Sequence, residues 1–128
     1  MNDAVPAPRV LVVGLDPYRV PGPWDPTPVA EAIRVGMAGL DDAGFAAEAC
    51  LVGLDGSEDV AATVSAALAS HPWECVLVGG GLRHSDEQAE LLETVVGLVR
   101  RLAPAAVIAF NSSPRPGPEA VVRSLRRG

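Results

Sequence analysis

Four short apolar runs, RVLVVGL (9–15), EACLVGL (48–54), ECVLVGG (74–80) and AAVIAF (105–110), alternate with longer stretches in which apolar residues return at helical spacing. The runs are continuous rather than alternating, the pattern of parallel strands covered on both faces. In the first helical stretch, Thr27 and Pro28 supply an N-cap and a first helical residue. Val29, Ile33, Met37 and Leu40 share a face, and Gly44 is set to end the helix in a left-handed conformation. The second stretch is predicted to start at Ser57 with Glu58 and Asp59 in its first turn, burying Val60, Val64, Ala67 and Leu68. The third starts at Ser85, with Gln88 completing a capping box, and runs to about Leu102. Its apolar set, Leu91, Leu92, Val95, Val96, Leu98, Val99 and Leu102, is wider than one sheet face needs, which leaves part of it for a second subunit. A fourth helix spans roughly Pro118 to Arg126.

Strand and helix alternate four times, so right-handed crossovers predict one α/β domain over residues 1–128. The expected architecture is a three-layer flavodoxin-like or Rossmann-like sandwich. Its four-stranded parallel sheet takes the order 2-1-3-4, with two helices on each face. One connection breaks the pattern: DPYRVPGPWDPTP, Asp16 to Pro28, holds five prolines in thirteen residues, too long and stiff for an ordinary strand-to-helix turn. It reads as a lid or as a ligand-lining loop.

In such a sheet, ligands bind beyond the carboxyl ends of the strands, where strand order reverses. That crevice lies between the first and third strands. Strand order brings Asp16 and Tyr18 to it from the first strand, Gly79, Gly80, Gly81, Arg83 and His84 from the third, and Asn111 and Ser112 from the fourth. Three glycines let a backbone approach a ligand closely, Arg83 offers a fork for a carboxylate or phosphate, and a helix start comes next with free N–H groups. Together these describe an anion cradle, although glycines between a strand and a helix also serve as a plain turn.

His84 suits proton transfer, or it is simply the polar residue before a capping serine. Asp16 can orient His84, or organise its own turn before Pro17. Tyr18, the one tyrosine, can meet a ligand or pack on Trp24. Asn111 and Ser112 line the crevice or satisfy a turn before Pro114. Asp16, His84 and Ser112 have the residue types of a hydrolytic triad, but neither Ser112 nor Ser113 sits in a nucleophile elbow.

Composition removes several alternatives. All ten basic residues are arginine, and without lysine there is no phosphate-binding Walker A loop, no Schiff base and no phosphorelay receiver. A net charge of −6 disfavours nucleic acid, and Arg123, Arg126 and Arg127 suit the end of a helix. No run approaches the ~18 apolar residues of a membrane span, and the start MNDAVPAPRV has no export signal, so a cytoplasmic protein is expected. Cys50 and Cys75 lack CxxC spacing and read as buried apolar residues near the amino ends of their strands, with His71 on that same side. No metal set and no cofactor is suggested. Fold alone would admit flavin, and fold does not imply function.

The opening VLVVGLDPY resembles the strand and aromatic loop with which pyroglutamyl peptidases begin. That resemblance implies a substrate-holding loop but not the peptidase activity, because those longer enzymes use a Cys, His and Glu machinery for which this chain offers no candidate cysteine, Cys50 and Cys75 being read as lying away from the crevice. The segments PWECVLVGGGLR and APAAVIAFNSSP are similar to parts of a group of short bacterial α/β proteins of unassigned function, which supports the fold. The expectation is therefore a small α/β protein that binds an anionic metabolite, as a cofactor-independent hydrolase, lyase or isomerase if it is an enzyme. The alternative is a non-catalytic, dimeric or partner-binding module built on the third helix.

Overall fold

In the computed structural model, residues 7–56, 59–79, 89–111 and 117–127 are described. Strands β1 (Arg9–Leu15), β2 (Ala46–Val52), β3 (Cys75–Val78) and β4 (Val107–Phe110) alternate with helices α1 (Thr27–Asp42), α2 (Val60–Ser70), α3 (Ala89–Leu102) and α4 (Pro118–Arg127). All strand pairings are parallel and the order is β2-β1-β3-β4, as the alternation predicts. Register runs from Arg9 opposite Ala46 to Leu15 opposite Val52, and from Val10 opposite Cys75 to Val13 opposite Val78. Strand β3 is buried at every position, whereas β2 exposes Glu48 and Ala49, as an edge strand does.

The alternation of side chains along the strands divides the core in two. Leu11, Val13, Cys50, Val52, Val76 and Val78 face α2 and α3, where they meet Val64, Leu68, Val95, Leu98 and Val99. Val10, Val12, Cys75, Leu77 and Ala109 face α1 and α4, where they meet Leu40, Ala120 and Val121. Each fully buried Val or Leu contributes roughly 1.5–3 kcal/mol from area removed from water.

Helix ends follow local chemistry. α1 closes in a Schellman motif: Gly44 has φ +93° and its N–H donates to the Asp41 carbonyl (3.0 Å), while the Phe45 N–H donates to the Leu40 carbonyl (3.0 Å). Leu40 and Phe45 then meet in the core, the apolar contact typical of that motif. The chain leaves this turn already paired to β1, with the Ala46 N–H donating to the Pro8 carbonyl. That is why β2 starts at Ala46 rather than at the predicted Glu48, and ends before Gly53.

Two further expectations are corrected. At the start of α1, the carboxylate that accepts the Thr27 N–H comes from Asp25, not from a Thr27 cap. α2 starts at Val60, and Asp59 is its N-cap, accepting the Ala62 N–H, because the aspartate reaches the first free donors without a further turn. The expected start at Ser57 and Glu58 lies outside the described residues, as does the proposed Ser85–Gln88 capping box. The wide apolar set of α3 is largely absorbed by its own core: Val95, Leu98 and Val99 are buried, and Leu91 and Leu92 pack beside them. α2 lies against α3 and accounts for that width. Only Leu102 is exposed, with Val96 half-buried. Among the described residues, no helix is long and apolar enough to cross a membrane.

Candidate functional site

The carboxyl ends of β1 and β3 are where the connections part company. α1, which comes after β1, lies on one face of the sheet, and α3, which comes after β3, lies on the other. This is the switch-point arrangement at which open α/β sheets hold ligands. Among the described residues, the last bond across it is donated by the Gly79 N–H to the Val13 carbonyl at 2.8 Å. Beyond Leu15 the chain turns toward β2 instead, with the Asp16 N–H donating to the Val52 carbonyl at 2.8 Å.

Of the candidate residues, Asp16, Tyr18, Gly79 and Asn111 are described; Gly80, Gly81, Arg83, His84 and Ser112 lie outside the described residues. Gly79 is half-buried, and a Cβ added to it would meet the Val13 carbonyl oxygen at 3.4 Å and the Gly14 Cα at 3.5 Å, ordinary packing distances. Backbone crowding therefore does not by itself demand a glycine there. Asn111 is 8 % exposed, the one buried polar residue among those described, and its N–H donates to the Val78 carbonyl. That bond carries the β3–β4 ladder one residue past the strands and brings Asn111 level with Gly79.

Asp16 caps a single 3-10 turn, Pro17–Arg19. One carboxylate oxygen accepts the Tyr18 N–H (3.0 Å) and the other accepts the Arg19 Nε–H (3.0 Å). Pro17 at the first position suits that turn, since proline lacks the N–H the turn would leave unused. These bonds make Asp16 the organiser of its turn, one of the two roles its position allows. Tyr18 is 64 % exposed on the outside of the turn. The Trp24 indole N–H donates to the Val20 carbonyl (3.2 Å), closing the tip of the loop around Gly22.

Sequence reasoning passed over Arg19. Its Nη2 donates to the Leu51 carbonyl (3.0 Å), its backbone N–H to the Asp16 carbonyl, and its own carbonyl accepts the Leu54 N–H. The signal was present in DPYR, an aspartate with proline next to it and a basic residue three positions on.

At the opposite end of the sheet, Cys75 opens β3 and is fully buried, and burial pushes its thiol up to about 11, a poor nucleophile at neutral pH. Cys50 is buried too, but it sits opposite Val13 in the carboxyl half of β2, not near the amino end, because the strand starts earlier than its apolar run. His71 comes directly after α2 at the amino end, 3.5 Å from Glu48 and edge-on to Trp73. Among the described residues, no three His, Cys, Asp or Glu side chains gather as a metal set. No protein-family model and no curated protein matches the chain.

Proposed function

We propose that the protein binds a small anionic metabolite in the crevice between β1 and β3. In this reading, Arg83 and the backbone of Gly79, Gly80 and Gly81 hold the anion, and Tyr18, Asn111 and Ser112 select the rest of the ligand. His84, oriented by Asp16, moves a proton in a hydrolytic, lyase or isomerase step that uses no cofactor. The observation that carries the reading is the parting of the β1 and β3 connections to opposite faces, beside the one buried polar side chain among the described residues, Asn111. A metabolite ligand fits a cytoplasmic protein.

The test is a thermal-shift screen with inorganic phosphate, short dicarboxylates and nucleoside monophosphates. A ligand at a hundred times its Kd stabilises the native state by ~2.7 kcal/mol. Stabilisation of the wild type that is lost in Arg83→Ala and His84→Ala supports the site. No stabilisation by any anion, or equal stabilisation of all three proteins, sinks it.

The second reading is a dimer or partner contact through α3, favoured by the exposure of Leu102 at the end of the apolar stripe. Sedimentation of wild type and Val96→Glu checks it: an assembly built on this helix separates into monomers in the variant.

A further inference from the structure

We propose that Arg19 is a positioning residue that clamps the base of the proline-rich β1–α1 loop to the carboxyl end of β2, making that loop a preformed element at the carboxyl end of the sheet rather than a lid. Its bearing on ligand capture rests on the anion-site reading above; the clamp itself does not.

The direction of the β2 backbone sets the geometry. The Ala46 N–H reaches the Pro8 carbonyl and the Val52 carbonyl accepts the Asp16 N–H, so the even-numbered residues of β2 turn their polar groups toward β1. In a regular parallel ladder the odd-numbered residues then face the open edge, and the Leu51 carbonyl is one of them. The Arg19 guanidinium reaches around the strand end to that carbonyl at 3.0 Å, while its Nε–H is held by Asp16 at 3.0 Å. One rigid fork thus ties the turn after β1 to the outer edge of β2, a geometry that an ammonium on a flexible stem does not reproduce.

The backbone repeats the tie, through the Leu54 N–H donated to the Arg19 carbonyl at 2.9 Å. Gly53 makes room for it, since a Cβ there would stand 2.8 Å from the Arg19 Cβ. The remainder of the loop is also fastened: Trp24 to the Val20 carbonyl, and Asp25 to the Thr27 N–H at the start of α1. Five prolines stiffen the chain between these ties. A hinged lid needs a base free to rotate, and the base of this loop, which continues from β1, is hydrogen-bonded to β2 and to Leu54 just beyond it.

Residue-resolved hydrogen exchange on the full chain without ligand tests the clamp, so a failed clamp and a failed anion site are read apart. In the wild type, the Arg19 and Leu54 amides should exchange at least ten times more slowly than the exposed Gly22 amide. In Arg19→Ala, the Tyr18 and Leu54 amides should speed up tenfold or more while the Gly79 amide, which bridges β1 and β3, keeps its rate. Gly53→Ala, which leaves the guanidinium in place but crowds it, should loosen the same two amides. Unprotected Arg19 and Leu54 in the wild type would overturn the proposal. So would unchanged Leu54 exchange in either variant, or a Gly79 amide that accelerates in step with Leu54.

Discussion

The two ends of the sheet are built from the same strands and differ in how the chain continues beyond them. At the amino end, the Glu74 N–H pairs with Arg9, the Val107 N–H with Glu74 and the Ala46 N–H with Pro8, so the ladder runs past the strands into short turns. Trp73 plugs that end, 4 % exposed, with its indole N–H donated to the Ala67 carbonyl at 2.9 Å. At the carboxyl end the strands stop just before Asp16, Gly79 and Asn111, and the sequence continues in glycine, proline and polar residues. The closed end uses its residues for stability; on the proposed reading, the other end leaves them for a ligand, as open parallel sheets do.

The largest expected effect is at the closed end. Trp73→Ala should lower unfolding free energy by ~3–5 kcal/mol, measured in urea, because it removes a buried ring and leaves the Ala67 carbonyl with less to accept. A loss under ~1 kcal/mol would deny that end its role. Next comes alkaline pH. The Cys75 thiol is raised from 9.0 to about 11 by burial. Below pH 9 both states keep the proton and stability is fully present; above it the unfolded chain ionises first. Stability should therefore fall by up to ~1.4 kcal/mol per pH unit until the native thiol itself ionises. A chain without lysine leaves this window uncrowded, and Cys75→Ala should flatten the decline. Gly44→Ala, at φ +93°, should cost ~1 kcal/mol by forcing a Cβ into the left-handed region.

At the carboxyl end the order of effects should reverse. Among the described residues, a Cβ at Gly79 meets nothing closer than 3.4 Å, so Gly79→Ala should move stability by less than ~0.5 kcal/mol, while any anion that stabilises the wild type should no longer do so. Tyr18→Ala, on an exposed ring, should be the quietest in stability, within ~0.5 kcal/mol, and should weaken ligand binding alone. If both variants unfold early and still bind, the contrast between the ends is wrong.

Much of this was legible in the sequence because it is local or comes from few topological choices. Continuous apolar runs marked four parallel strands, and Gly44 marked a helix end that closes as a Schellman motif. Strand bounds were less legible: β2 is shifted by two residues because the turn at Gly44 and Phe45 delivers the chain to β1 early, a consequence of pairing across the sheet. The α3 stripe was ambiguous for the same kind of reason. Much of its width packs against both the sheet and α2, and no property of the helix alone distinguishes a neighbouring helix from a neighbouring subunit.

The sequence by itself determined the alternation of elements, the parallel sheet and its order, and the end of the sheet where polar and glycine residues collect, since periodicity and handedness act within one segment or between successive ones. Only the tertiary structure decided that Asp16 is bound up in its own turn and that Arg19, unremarkable in the chain, ties that turn to β2. A side chain's hydrogen-bond partner thirty-two residues away is a fact of strand register, and register exists only once the strands have paired.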